Sequence, residues 1–87
     1  MCFYVYILIN LNNKSNPTYV GYTSNLYNRL KLHNSSKGAK FTRGRLWKII
    51  YKKRYKTKSL AIKNEYKLKN DKTKRYLIKH RYLKKLV

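Results

Sequence analysis

A run of seven apolar and aromatic residues near the N-terminus, Phe3–Ile9, constrains the fold more than any other segment. Its sequence, FYVYILI, is rich in β-branched and aromatic side chains, which favour strands. The run lacks the alternation of polar residues that is typical of a half-exposed strand. It is also far shorter than the roughly 20 residues of a membrane-spanning helix. The segment therefore predicts a buried central strand.

Turn and strand signals place two further strands beside it. The segment Asn10–Pro17, NLNNKSNP, consists of turn-forming residues, and Thr18–Tyr22 is again rich in β-formers. The two strands should therefore pair as an antiparallel hairpin with a long loop. A third strand is predicted at Leu46–Tyr55, where apolar residues return after a basic loop.

Capping residues mark three helices. Ser24 should begin the first helix, Thr57 or Ser59 the second, which runs to about Lys69, and Asp71 the third, which runs to about Tyr82. The sequence thus predicts an α/β (α+β) fold with elements in the order β-β-α-β-α-α. We expect a small sandwich, a three-stranded antiparallel sheet flanked by helices, in one domain over residues 1–87.

The charge of the chain indicates its partner. Lys and Arg number 23 and acidic residues only two, which gives a formal net charge of +21. Such an excess of positive charge indicates that the partner is a polyanion, and DNA is the expected one. One Cys and two His predict neither an internal disulfide nor a zinc site, and no apolar run predicts a membrane span. We expect an intracellular protein of the cytoplasm or nucleus, not secreted, that is a monomer; a regulatory protein partner stays open.

One of the two carboxylates, Glu65, falls at a conspicuous position. On a helix its neighbours are Ala61, Ile62 and Leu68, which places it on or beside the face that packs against the core. A carboxylate there needs an ion partner or a metal. Mg²⁺ is satisfied by one or two carboxylates together with water and substrate phosphate. Glu65 is therefore a candidate metal ligand, and a salt bridge to a nearby lysine is the alternative.

Four other residues are candidates for catalysis. Arg29 and His33 are four residues apart and should share a helix face, where they could hold a phosphate and transfer a proton. The hairpin should bring Tyr6 close to Tyr19. A tyrosine becomes a usable base when nearby positive charge lowers its pKa, and this chain is rich in such charge. A solvated face and ordinary strand packing are the alternatives.

One glycine predicts a turn, and two basic segments predict further contacts with DNA. Gly21 suits a tight turn from the second strand into the first helix. Backbone-contacting residues are expected in the basic loop and in the last helix, where they would add affinity without reading sequence. These nucleic-acid-binding candidates are Lys40, Arg43, Arg45, Lys72, Lys74 and Arg75.

The candidate residues occur in an order that resembles a known family. They are Tyr4-Val5-Tyr6, Tyr19-Val20-Gly21, Thr23, Arg29, His33 and Glu65. This order resembles the GIY-YIG nuclease superfamily, especially its small single-domain members. The run YVGYTSNLYNRLKLHN, with GAKFTRGRLWKIIY and SLAIKNE, is also similar to the catalytic domain of the Slx structure-selective endonucleases. The resemblance covers about residues 3–69.

This resemblance implies a role for each site residue. Tyr6 and Tyr19 would be the motif tyrosines, one of which, together with His33, would deprotonate the attacking water. Arg29 would stabilise negative charge at the phosphate, and Glu65 would hold a single Mg²⁺ or Mn²⁺ ion. The implied reaction is hydrolysis of a phosphodiester bond.

The expected function is a divalent-metal-dependent DNA endonuclease of DNA repair or recombination. Single-stranded, flapped or branched DNA is the expected substrate, because a small domain has little surface for reading a long duplex sequence. A non-catalytic nucleic-acid-binding module on the same fold and an RNA-directed nuclease are the alternatives. The joint presence of all five site residues favours the enzyme.

Overall fold

The computed structural model describes residues 2–35 and 46–85. Their order is β-β-α-β-α-α, as the sequence predicted. The elements are β1 Phe3–Ile9, β2 Thr18–Thr23, α1 Leu26–Asn34, β3 Lys48–Tyr55, α2 Lys58–Asn70 and α3 Lys72–Lys85. Within these described ranges, no helix is long and apolar enough to span a membrane.

The strand β1 lies at the centre of a three-stranded antiparallel sheet of order β2-β1-β3. Five consecutive residues of β1, numbers 5–9, are buried, as its apolar sequence predicted. Tyr6 pairs with Gly21 of β2 and with Lys52 of β3. The register with β3 shifts between Ile7 and Leu8, which marks a bulge beside the site described below.

The helices cover the two faces of this sheet. Tyr6 and Leu8 point to the face on which Leu26 of α1 and Trp47 complete a buried cluster. A second cluster on the opposite face joins β1 to α2, with α3 packed at its border; its buried members are Val5, Ile7, Val20, Ala61 and Leu68. The alternation of side chains along β1 therefore divides the core into two layers.

Side-chain caps begin each helix, with one correction to the sequence analysis. Thr57 accepts from the backbone N–H of Leu60, and Asp71 accepts from that of Lys74, as predicted. The first helix is capped by Asn25, whose Oδ1 accepts from the N–H of the residue three positions on. The prediction of Ser24 was wrong by one position. Both side chains can accept such a bond, so the sequence offered no means to choose between them.

A side-chain amide ties the end of α1 to the start of β3. The backbone N–H of Trp47 donates to Oδ1 of Asn34 over 2.6 Å, and Nδ2 of Asn34 donates to the carbonyl of Trp47 over 3.3 Å. The Asn34 amide thus forms the two hydrogen bonds to Trp47 that a neighbouring strand would form in a sheet. It holds the C-terminal turn of α1, which carries His33, against the sheet.

Candidate active site

Three aromatic side chains from separate parts of the chain meet beside the edge strand β2. The Tyr6 hydroxyl lies 2.9 Å from Nε2 of His33, although 27 residues separate them in the sequence. The Tyr19 ring centroid lies 4.9 Å from that of His33 and 6.4 Å from that of Tyr6. Tyr6 is 1% exposed and His33 0%, whereas Tyr19 is half-buried. The fold thus brings together three of the predicted site residues, two of them in the interior.

Gly21 makes room for the Tyr6 ring. It lies within β2, directly opposite Tyr6, and not at the strand-to-helix turn where the sequence analysis placed it. A Cβ on this residue would lie 2.5 Å from the Tyr6 hydroxyl oxygen and 2.7 Å from its Cζ. Both distances are shorter than atoms in real proteins tolerate. The absent side chain is therefore a requirement of the site and not of a turn.

Arg29 connects the two tyrosines. Hydrogen bonding with Tyr6 raises the pKa of its guanidinium group, and Tyr19 contributes in the same direction; the side chain is half-buried on the same helix as His33. A guanidinium can only donate, so the Tyr6 oxygen accepts from Arg29. In the tautomer of His33 that carries its proton on Nδ1, Nε2 accepts from the Tyr6 hydroxyl. The predicted grouping of Arg29 and His33 on one helix face is confirmed.

Burial dominates the protonation of the interior pair. It raises the pKa of Tyr6 to about 12, although the hydrogen bond and charge of Arg29 act in the opposite direction. It also lowers the pKa of His33 to about 4, and here the Arg29 charge acts in the same direction. The expectation that positive charge lowers the pKa of a site tyrosine is wrong for Tyr6, because its lost hydration outweighs the nearby cation. At neutral pH both groups are uncharged.

Glu65 approaches this cluster from α2. Its carboxylate is close enough to Tyr6 for its negative charge to contribute to the raised pKa of the phenol. The side chain is 16% exposed, and Oε1 lies 3.0 Å from Nζ of Lys69, one turn further along the helix. The salt bridge that the sequence analysis held as an alternative is therefore present.

A metal at Glu65 would need ligands from water and substrate. Among the described residues, no group of three or more His, Cys, Asp or Glu side chains could hold a metal ion. A single carboxylate is nevertheless enough for Mg²⁺ when water and a phosphate complete the shell. Glu65 fits this role, because its carboxylate is partly open and its present partner, Lys69, is 51% exposed. An ion pair with one partner this open to solvent contributes little stability, so a metal ion could displace Lys69.

The predicted DNA-contacting residues of the last helix differ in their surroundings. Arg75 donates from Nε to the carbonyl of Leu68 and from Nη2 to that of Lys69, so it closes the end of α2. Lys72 and Lys74 are exposed on the first turn of α3. Three more candidates lie outside the part of the chain that the structure describes: Lys40, Arg43 and Arg45.

The outer side of α2 carries a feature that the sequence analysis did not identify. Ile62 was placed on the core-facing side, but it is 44% exposed, and Tyr66 is 70% exposed. The two are four residues apart and so are neighbours on the helix surface. This spacing beside a candidate metal ligand was the signal that could have revealed them. An apolar residue at helical spacing more often faces the core, so the spacing alone does not identify an exposed pair.

Comparison with known proteins identifies the family of this chain. The family model of the GIY-YIG catalytic domain matches residues 2–79. This chain therefore belongs to the GIY-YIG family.

Several curated relatives are UPF0213 proteins. One from Oceanobacillus iheyensis is 45% identical over 67 residues, which cover 76% of this chain and 74% of that protein. Another from Bacillus licheniformis is 41% identical over 78 residues, or 85% of this chain and 77% of that protein. A solution NMR structure of a UPF0213 protein from Bacillus halodurans is 36% identical and has a TM-score of 0.50, covering 91% of this chain and 84% of that one.

Proposed function

We propose that this protein is a divalent-metal-dependent DNA endonuclease that hydrolyses phosphodiester bonds. The observation that carries the proposal is the interior hydrogen bond of 2.9 Å between Tyr6 and His33. It lies next to a guanidinium group and a partly open carboxylate. Burying two polar side chains and a nearby arginine costs free energy that a plain binding surface would not require. Such an arrangement is more typical of a catalytic site than of a surface that only binds nucleic acid.

The Tyr6–His33 pair is suited to carry a proton away from water. In the proposed step, the attacking water gives its proton to the Tyr6 oxygen while the Tyr6 proton passes to Nε2 of His33. The hydroxide formed in this way bonds to phosphorus, and the bond from phosphorus to the leaving oxygen breaks. Tyr6 thus needs no preformed phenolate, which agrees with its pKa of about 12.

Arg29 and Glu65 provide the charges that the substrate requires. The Arg29 guanidinium can donate to the phosphate oxygens as negative charge develops on them. A bound phosphate would also offset the Arg29 charge that lowers the pKa of His33, which makes the imidazole a better proton acceptor. Glu65 would hold one Mg²⁺ or Mn²⁺ ion, which when bound stabilises charge on the phosphate and the leaving oxygen.

The size of the domain favours single-stranded, flapped or branched DNA. The longest dimension of the described residues is 36 Å. One turn of duplex DNA is about 34 Å long, so the protein can follow a duplex for little more than one turn. Affinity from phosphate contacts is available to so basic a chain without any reading of sequence. Local DNA structure then becomes the main source of selectivity.

A panel of end-labelled substrates tests this proposal. Single-stranded, duplex, flapped and branched DNA, with single-stranded RNA of the same sequence, would be incubated with the protein in Mg²⁺, Mn²⁺ or EDTA. We expect cuts in the DNA that has single-stranded character, only when metal is present. Tight binding without cleavage of any substrate would contradict the proposal and favour a binding module. Preferential cleavage of RNA would replace DNA as the substrate.

A further inference from the structure

The exposed side of α2 next to Glu65 carries apolar groups where a charged helix would be expected to carry polar ones. Ile62 lies three residues before Glu65 and Lys69 four residues after it, so both adjoin the carboxylate on the helix surface. Tyr66 lies one helical turn after Ile62 and faces further towards the solvent. Ile62 is 44% exposed and Tyr66 is 70% exposed. We call Ile62 and Tyr66 the apolar stripe.

Lysines border this stripe on both sides. Lys69 adjoins it on the side of the carboxylate, and Lys63 adjoins it on the solvent side, three residues before Tyr66. The nearby amide of Asn70 donates to the carbonyl of Tyr66 over 2.9 Å, so that amide is engaged with its own helix. An incoming ligand therefore meets an aromatic ring, an aliphatic side chain and two ammonium groups.

From this arrangement we infer that the apolar stripe is a stacking platform for an unpaired base of single-stranded DNA beside the cleaved phosphate. Bases that are not paired have open π-faces that stack on exposed aromatic rings, while lysines hold the backbone between them. A paired duplex hides those faces, so cations alone would suffice to bind it. The inference rests on the proposed function for the position of the cleaved phosphate, and it assigns the preference for single strands to named residues.

The charge of the protein favours DNA, and not another protein, as the ligand of the apolar stripe. An apolar stripe on a helix could also pack against another protein, but a chain with a net charge of +21 repels a second copy of itself. The lysines beside Ile62 and Tyr66 would also lose hydration in an apolar interface. A strand of nucleic acid satisfies both the apolar and the charged groups.

Equilibrium binding in EDTA tests the platform without any cleavage. Fluorescence anisotropy would measure the affinity for a labelled oligothymidylate and for a blunt duplex of the same length. We expect Tyr66→Ala to weaken single-strand binding about 5- to 30-fold, the range that base–aromatic stacking supplies. Duplex binding should stay within about twofold, because the phosphate contacts remain. Tyr66→Phe keeps the ring and should restore single-strand affinity.

Tyr27 provides the matched control. It is 73% exposed, compared with 70% for Tyr66, and it lies on α1, whereas Glu65 and Tyr66 lie on α2. Tyr27→Ala should leave both affinities unchanged. Equal losses on single strand and duplex in Tyr66→Ala, or no loss on either, would overturn the inference. So would a change of oligomeric state in that variant with DNA binding intact, which would make the stripe a protein contact.

The inference and the proposed function can fail separately. If the substrate panel shows metal-dependent cleavage but Tyr66→Ala binds single strands normally, the platform is wrong and the nuclease stands. If no substrate is cut but Tyr66→Ala loses single-strand affinity selectively, the platform stands on a binding protein.

Discussion

Adding a single methyl group at Gly21 should damage the site from within the sheet. In Gly21→Ala the new Cβ would lie 2.5 Å from the hydroxyl oxygen of Tyr6 and 2.7 Å from its Cζ. The Tyr6 ring is 1% exposed and bonded to His33, so it cannot move aside without disturbing its neighbours. We therefore expect the ring to shift and its bond to His33 to break.

The expected cost follows from these two effects. Overpacking a filled core costs about 1–3 kcal/mol, and leaving a buried group without its hydrogen bond costs a similar amount. Together the two costs span about 2–6 kcal/mol, and we take about 4 kcal/mol as the central value, against a total free energy of unfolding of about 4–13 kcal/mol for a chain of this size. The corresponding fall in Tm is about 16–32 °C.

Chemical denaturation of a double-mutant cycle with Tyr6→Phe would measure this effect. The bond between Tyr6 and His33 can be lost only once, so the double variant should cost less than the sum of the two single variants. Additive costs would show that Gly21 and Tyr6 act independently. A Gly21→Ala protein as stable as the parent would refute the argument that the missing side chain creates space for the ring.

Three more predictions concern the surroundings of this pair. Asn34→Ala removes two hydrogen bonds to the backbone of Trp47 and should lower the free energy of unfolding by about 1–3 kcal/mol, measured by urea denaturation. His33 has a folded pKa of about 4 against 6.5 unfolded, so the unfolded state binds more protons between these values and stability should rise with pH there. The rise is roughly 3 kcal/mol between pH 4 and pH 7, and a His33→Gln variant without this slope would confirm its origin. In cleavage assays Tyr6→Phe should lower kcat by at least about 100-fold and Tyr19→Phe by less, because the Tyr6 hydroxyl is hydrogen-bonded to His33 in the proposed proton transfer. The reverse order would make Tyr19 the base.

The general layout of the protein could be predicted because its signals are local. The composition of Phe3–Ile9 identified the central strand, and the spacing of Arg29 and His33 identified a shared helix face. Capping by Asp71, and by Thr57 as one of two candidates with Ser59, followed from side-chain chemistry. Such features depend on neighbours in the sequence and need no knowledge of the tertiary structure.

The sequence predicted the ends of strands and helices less well where neighbouring residues suit the same structural role. The third strand begins at Lys48 and not at Leu46, and α3 extends beyond Tyr82 to Lys85, the last described residue. The last helix is rich in good helix formers, and no glycine or proline marks its end within the described residues. Ser24 and Asn25 are both suitable caps, so only the backbone conformation distinguishes them.

The protonation of the site could not be predicted because it depends on burial. Counting charges suggested a lowered pKa for a site tyrosine, whereas the interior position of Tyr6 raises it. The contact between Tyr6 and His33 spans 27 residues, and the role of Gly21 depends on the strand register. Each of these features arises only when the hairpin and α1 are packed together.

The central claim is that Glu65 serves metal-dependent hydrolysis of DNA, and one comparison of variants tests it most directly. Glu65→Gln removes a single negative charge while keeping the shape of the side chain. Asp71→Asn removes the same charge from the other acidic residue of the chain and leaves a side chain that still caps α3. Cleavage of end-labelled single-stranded DNA would be followed as Mg²⁺ is titrated. We predict that Glu65→Gln loses at least about 100-fold in rate while Asp71→Asn cleaves like the parent protein. Equal cleavage by Glu65→Gln would contradict the claim and remove this carboxylate from the mechanism.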